Sequence, residues 1–439
     1  MYVAVDDTDS LQGGCTTFLA TEILSKLSDI DLIGNPRLVR LNPAVPWKTR
    51  GNGALVMRLG AGEGRKKKIG EIGGDPIFSY PRGSMPASRE ILERAAAVVE
   101  RCMSKGSQAG LLVGDERPSP RFYHMGCTTI VSKEETDGEI RRVGALSRSW
   151  NGGRGLVGCV CAAAWEPGDS TYELLAYRER GKWGTERSFS PESVERMDAR
   201  FPSTFNNWSP TEGKAAIFPS TPCPVLFGIR GDSEGDLPKA AAALETEPVD
   251  RWAVFLTNQG TDDHILRDSL MLRPNASYRI HGRVSSAARR IEGGHAFIDL
   301  DTVYGTVVCG IYEPAKGFRD VFDALIPGDL IEVMGEYREE PGTLNVEKLR
   351  VLYLAEDRRK ASNPVCPGCG RTMRSAGAGA GYRCKGCGTK SDEAVFGVEP
   401  RKIVMGWYEP PETARRHLSK PLKRMGEEQP LMFVKRRNR

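Results

Sequence analysis

The sequence predicts a multidomain chain of mixed α/β and α+β class, and three observations carry that reading. At 439 residues it exceeds one ordinary domain and suggests three or four. From residue 170 to 355 the apolar runs read as a βαββαβ unit followed by five strands, and beyond them two Cys-x-x-Cys pairs stand 14 residues apart. The expected parts are an α/β domain over 1–167, a ferredoxin-like domain over 168–272 and an OB-fold β-barrel over 273–358. A zinc ribbon over 359–395 and a basic tail over 396–439 complete the chain.

The first part opens with an apolar strand, Met1 to Val5, that ends in Asp6-Asp7-Thr8-Asp9. Gly13-Gly14 follows, and then a helical pattern from Thr16 to Leu27 with Phe18, Leu19, Ile23, Leu24 and Leu27 near a 3.6 period. A second apolar run, Leu38 to Leu41, enters a Gly- and Pro-dense loop over 42–53. Residues 60–145 carry little signal beyond a helix near 88–104. At 150–156 another Gly-rich loop leads into the apolar run Val157 to Trp165.

In the second part, strands are expected at Tyr172–Tyr177, Ala215–Phe218, Val225–Ile229 and Trp252–Thr257, with the middle two as a hairpin. Helices fall at Pro191–Ala199, with Ser190 as N-cap, and at Leu237–Leu244. The third part offers strands at Tyr278–Val284, Ala296–Leu300, Gly305–Gly310, Leu330–Tyr337 and Leu344–Leu352. A short helix, Phe318–Leu325, comes before the fourth, which is the OB order and a common single-strand nucleic-acid platform.

Hydrophobic residues make up 39% of the chain and charged residues 27%, which excludes a disordered chain, and no run reaches the ~20 apolar residues of a membrane span. The start, MYVAVDDTDS, turns acidic too early for a signal or transit peptide, so a cytoplasmic protein is expected. Residues 401–439 hold 11 Lys/Arg and 4 Asp/Glu, while the other 400 hold 51 basic and 53 acidic residues. The excess is therefore local, and points to nucleic acid or a membrane surface, or to a merely solvated end.

Cys366, Cys369, Cys384 and Cys387 offer four thiolates for a tetrahedral Zn²⁺ with no position left for a catalytic water, so the zinc is structural; a redox pair is the other reading. Asp6, Asp7 and Asp9 crowd three carboxylates after a strand, a repulsion that a cation with a phosphate substrate would relieve; otherwise they form a solvated turn. Gly13, Gly14, Thr16 and Thr17 at a helix start favour phosphate, though no Walker loop is present. Lys48, Arg50 and Arg154 lie in Gly-bordered loops (Gly153 and Gly155 flank the last) suited to phosphate oxygens, or are surface cations. Phe205-Asn206-Asn207-Trp208 is a polar-aromatic loop and, by default, a packing feature.

Long motifs in this chain resemble the archaeal tRNA 2-agmatinylcytidine synthetase family, TiaS. They include Asp6-Asp7-Thr8-Asp9-Ser10 with Cys15-Thr16-Thr17, Arg40-Leu41-Asn42-Pro43 through Lys48-Thr49-Arg50-Gly51-Asn52-Gly53, Arg154-Gly155-Leu156-Val157-Gly158, Ser220 to Leu226, Thr246 to Arg251 and Ala414 to Leu422. Residues 60–145 match poorly, and Gly14 replaces a bulkier residue. The resemblance implies a kinase-like first domain and a ligase that joins agmatine to C2 of the wobble cytidine of an isoleucine tRNA with a CAU anticodon. The reaction would pass through a phosphorylated cytidine, so that AUA is decoded. It implies Mg²⁺ and ATP at Asp6, Asp7 and Asp9, charge stabilisation by Lys48, Arg50 and Arg154, phosphorylation of Thr16, and ATP contacts at Gly13, Gly14, Thr17, Gly153 and Gly155. For agmatine, Phe205, Asn206 and Trp208 are the candidates, because a guanidinium seeks planar aromatic and polar partners. For tRNA the candidates are Arg415, Arg416, Lys420, Lys423 and Arg424, with no membrane and no obligate protein partner expected. An RNA-directed kinase without amine transfer and a non-catalytic tRNA-binding protein are the rivals; ATP consumption and agmatine in the product separate them.

Overall fold

Period-2 alternation in the opening strand sets the first layers. In the computed structural model, which describes residues 1–10, 13–48 and 51–430, this strand is Tyr2–Asp6. It pairs antiparallel with Gly53–Glu63 on one side and Gly110–Gly114 on the other. Val3 and Val5 face the helices Thr16–Lys26 and Arg89–Cys102, whereas Tyr2 and Ala4 face the helix Gly155–Ala163. The sheet is thus covered on both faces.

The apolar run after residue 156 is that third helix. Eight of its nine residues are buried, so it shows no 3.6 periodicity that a sequence pattern could reveal. Its first turn lies directly on the sheet: a Cβ on Gly155 would stand 2.5 Å from the Asp6 carbonyl oxygen, and one on Gly110 would run into Leu156 N. The region 60–145 contains the helix expected near 88–104, Arg89–Cys102 capped by Ser88, and beyond it short strands and Lys133–Arg142 with a Ser132/Glu135 capping box, which the sequence does not reveal.

The next unit holds strands Thr171–Arg178, Thr204–Phe205, Val225–Gly231 and Val249–Thr257, with helices Pro191–Arg200 and Leu237–Ala242. Neighbours pair antiparallel in the order second, third, first, fourth. The hairpin expected between Ala215–Phe218 and Val225–Ile229 does not form. Lys214–Ala215 instead pairs with Trp208–Ser209, because Pro219, Pro222 and Pro224 interrupt the ladder and only Gly228 N to Ile217 O (3.0 Å) bridges the two runs. The fourth strand also pairs with Lys67–Ile72 and Arg37–Arg40, so the boundary expected at 167 crosses a single sheet that has 13 strands among the described residues.

Residues 276–353 form a closed five-stranded barrel: Ala276–Val284, Leu330–Arg338, Thr343–Tyr353, Gly305–Ile311 and Ala296–Thr302, which returns to the first. A two-stranded arm, Asp357–Ser362 with Val395–Glu399, carries the cysteine ribbon away from it. The segment expected to be a tail instead returns. Gly406–Tyr408 pairs with Leu349–Val351, and Tyr408 is buried in the barrel core. No helix of the described residues is long and apolar enough to cross a membrane.

Candidate functional site

A cavity of about 630 Å³ lies at the carboxyl end of the opening strand, between the first unit, the second and the returning segment. Asp6, Asp7, Asp9, Thr16, Thr17, Lys48 and Arg154 all line it, so most of the residues expected at a phosphate site meet there. Burial, reinforced by Asp7 and Asp9, pushes the Asp6 carboxyl up to about 8. Burial, then Asp9, raises Asp7 as well, while Arg154 opposes that shift. Asp7 has φ 53°, a left-handed conformation that re-aims the chain as it leaves the sheet. Such a cluster carries repulsion that a nearby cation would offset, although the three carboxylates do not close on one point as the ribbon sulfurs do.

Facing the acids is the start of the Thr16 helix. Its first turn has no acidic residue, and Thr8 Oγ1 donates to Thr16 Oγ1 at 3.1 Å, which fixes that hydroxyl. First-turn amides and the helix dipole favour an anion here. The expected glycines shape the surroundings but are absent from the wall. Gly14, with φ 80°, packs its Cα against Asp9 and Thr8 where a Cβ would find only 3.1–3.3 Å, and Gly155 seats its helix on the sheet. Gly13 and Gly153 lie in the flanking turns, also at positive φ. Arg154 sits 5.0 Å from the Trp47 ring centroid, and Lys48 donates to the Pro43 carbonyl. Arg50 falls outside the described residues.

The opposite wall was not legible as a site. Arg230 Nε lies 3.1 Å from Glu173 Oε1, Arg40 NH2 lies 3.6 Å from Glu173 Oε2, and Gln259 Nε2 donates to the same carboxylate. Gln259 Oε1 in turn meets His417 Nδ1 at 2.9 Å. Two guanidiniums against one carboxylate leave this wall net positive. Its members lie up to 377 positions apart in the chain, so no local motif could unite them.

A second cavity of about 950 Å³ is lined by Phe205, Asn206, Trp208, Asp198 and Glu409, among others, so the three expected agmatine residues share a wall away from the acidic cluster. Burial raises Asp198 and Glu409 above the usual carboxylate range. Arg415 NH1 donates to Asn206 Oδ1 at 2.8 Å, and Arg415 and Glu412 line both cavities.

The cations assigned to RNA from sequence are drawn inward. Arg415 pairs with Glu409 and Glu412, Arg416 with Glu336 and Glu347, and Lys420 with Asp169. Arg424 pairs with Asp169 and Asp232, and Lys423 Nζ donates to the Thr204 carbonyl. Arg416, Lys420, Lys423 and Arg424 clasp the returning segment to the second unit and the barrel through partners too distant in sequence to be foreseen, whereas the acidic partners of Arg415 lie within its own segment.

Four cysteine sulfurs, those of Cys366, Cys369, Cys384 and Cys387, converge with their Sγ atoms within 4.8 Å of one another, and several separations are 3.3–3.7 Å. Backbone amides of Cys387 and Gly386 lower the Cys384 thiol. This geometry suits a tetrahedral, fully protein-ligated zinc, and none of the eleven cysteines is in a disulfide.

Known proteins fit this geometry along the whole chain. The family profiles for the TiaS TCKD domain, the TiaS FLD domain and the TiaS C-terminal zinc ribbon domain match residues 2–151, 153–264 and 363–403. The isoleucine-tRNA 2-agmatinylcytidine synthetase TiaS of Archaeoglobus fulgidus is 39% identical over 98% of both chains. A crystal structure of TiaS in complex with its isoleucine tRNA and ATP superposes with TM-score 0.84 at 37% identity, covering 97% of each chain. A complex of TiaS with the same tRNA, AMPCPP and agmatine gives 0.82 at 35% identity, covering 97% of this chain and 98% of that one.

Proposed function

The chain belongs to the TiaS family of isoleucine-tRNA 2-agmatinylcytidine synthetases, and we propose from that premise how its parts divide the reaction. The enzyme transfers agmatine to a cytidine of an isoleucine tRNA with ATP as the energy source, and its ribbon holds a structural zinc. In our reading the first unit is the kinase-like catalytic domain. The second, with strand order second-third-first-fourth, is ferredoxin-like, and the closed barrel is an OB-fold.

Cytosine C2 carries an oxygen that leaves poorly, and phosphorylation of that oxygen makes it a leaving group. Asp6, Asp7 and Asp9 would hold Mg²⁺, which neutralises phosphate charge when bound. The Thr16 helix start, Thr17, Arg154 and Lys48 hold the phosphates, with Arg50 as a further cation, and Thr16 Oγ1 is the expected phosphoryl acceptor. Agmatine lies in the second cavity among Phe205, Asn206 and Trp208, its guanidinium near Asp198. The shared wall at Arg415 and Glu412 lets the amine reach the base that is being activated. A base unstacked from the anticodon loop is needed for this approach. Cysteines outside any disulfide and a tRNA substrate agree with a cytoplasmic enzyme.

The observation that carries this reading is the convergence of three carboxylates, a helix start and Arg154 on one cavity. Asp7→Asn tests it, since the shape is kept and a charge removed. Agmatine transfer and phosphorylation of Thr16 are expected to fall together by orders of magnitude, with tRNA binding nearly unchanged. Normal ATP consumption by this variant would return the first unit to an α/β domain without an assigned role.

A further inference from the structure

The Glu173–Gln259–His417 chain has one consistent hydrogen arrangement. Glu173 is a carboxylate that faces Arg230 and Arg40, so it can only accept, and Gln259 must turn its amide NH₂ toward it. Gln259 Oε1 is then the atom that meets His417 Nδ1, which must carry the hydrogen. That assignment leaves His417 Nε2 with a free lone pair. The ring lines the first cavity beside Gly51, where a Cβ would stand 2.9 Å from Nε2. Backbone bonds anchor the residue and its successor: Gly260 N donates to the His417 carbonyl and Asp262 N to the Leu418 carbonyl, both at 2.8 Å.

We propose that His417 is the general base of amine transfer, with Nε2 taking the proton of the attacking agmatine nitrogen and with Gln259 and Glu173 as positioning residues. The inference rests on the phosphorylated-cytidine reading above. Agmatine's ammonium first gives up one proton to solvent. The neutral nitrogen then forms a bond to C2, the C2–O bond to the phosphoryl group breaks with its electron pair leaving on phosphate, and a second nitrogen proton passes to Nε2. The imidazolium then gives that proton to the departing phosphate or to water. The groups that face the ring keep it neutral and make its protonated form short-lived. Burial, with Arg40 from its strand, Arg230 from Val225–Gly231 and Lys48 from the 42–53 loop, holds the imidazole well below its ordinary range, so Nε2 presents a lone pair at pH 7. The imidazolium it forms, costly among these cations, must pass its proton on at once. Arg416, its neighbour, turns away to Glu336 and Glu347.

The test separates the two half-reactions in the full-length enzyme. With ATP and tRNA but no agmatine, His417→Ala should label tRNA with phosphate from γ-labelled ATP within about twofold of the parent enzyme, which also shows that the variant is folded. In single turnovers with saturating agmatine, transfer at pH 7 should fall by about 100-fold, the scale of a lost general base. Both profiles rise as the agmatine ammonium loses its proton, and the variant should gain a further factor of up to about tenfold per pH unit over the parent as hydroxide replaces the imidazole. Gln259→Leu, which releases the ring tautomer, should show a smaller loss of the same kind. Equal loss of phosphorylation and transfer in both variants, or a variant pH profile parallel to the parent's, overturns the assignment. If the parent enzyme itself never phosphorylates tRNA, it is the reading of the first cavity that fails.

Discussion

Gly158 lies so close to the Asp6 carboxylate that a methyl group on it would overlap Asp6 Oδ2. The two residues come from different elements, the Gly155–Ala163 helix and the opening strand, and their contact places one of the three acids. Gly158→Ala must therefore move the carboxylate or lift the helix. Overpacking of this kind costs about 1–3 kcal/mol. ATP turnover should drop at least tenfold while tRNA affinity stays within about twofold. A variant with full turnover would mean that the position of Asp6 matters little to the chemistry.

The zinc ribbon stands on an arm with no large core of its own; its buried cluster is Cys366, Met373 and Cys384. Metal binding is then the folding energy of that segment. Cys384→Ser is expected to lose zinc and weaken tRNA binding while ATP binding survives. Metal analysis that finds an undiminished zinc content in this variant would refute the four-thiolate assignment.

Arg178 and Glu247 form a two-pronged ion pair, Nε to Oε1 at 2.6 Å and NH2 to Oε2 at 3.0 Å, with side-chain exposures of 1% and 4%. The Arg178 hydrogen bonds hold Glu247 below the usual carboxylate range. A depressed carboxylate stabilises the fold fully above its unfolded value near 4.5, and that stability is lost as pH falls through the lower folded value. Removing one partner of a buried pair costs about 3–5 kcal/mol. Glu247→Gln should lower the melting temperature at pH 7 and flatten its fall below pH 4.5. The same steep acid limb in variant and parent would show that other carboxylates govern it.

Legibility in the sequence followed the range of each interaction. The opening strand, the Thr16 helix, the barrel strands and the four cysteines depend on short-period patterns and local spacing, and they fall where those patterns put them. The Gly155 helix was readable as an apolar run but not as a helix, because burial on every side erases the periodicity. Thr204–Phe205 was missed as a strand since two residues carry no alternation, and its pairing with Arg230 and Gly231 is a tertiary fact. Of the first cavity, the acids and the helix start formed one contiguous motif. Its other wall (Arg40, Glu173, Arg230 and His417, the last linked to Glu173 through Gln259) joins residues from distant stretches of chain, and the carboxylate at its centre is visible as such only in space.

The same distinction redirects the electrostatic expectation for tRNA. The cations from Arg415 to Arg424 are engaged with Glu409, Glu412, Glu336, Glu347, Asp169 and Asp232, and Arg424 is only 7% exposed, so they have little charge to lend to phosphates. Removing them would release the clasp on the barrel and blur any measurement of binding. Residues 431–439 contain four further cations, Lys435, Arg436, Arg437 and Arg439, with no acidic residue among them. Each phosphate neutralised contributes about 0.7–0.9 to the slope of log affinity against log salt. Truncation after Pro430 should therefore reduce that slope by about 3, with the melting temperature and ATP turnover without tRNA unchanged. Titrations of the isoleucine tRNA against parent and truncated enzyme at several salt concentrations give the slopes directly. Identical slopes would exclude these four residues from the RNA contact and leave the exposed Arg358, Arg359 and their arm as the cationic surface to test next.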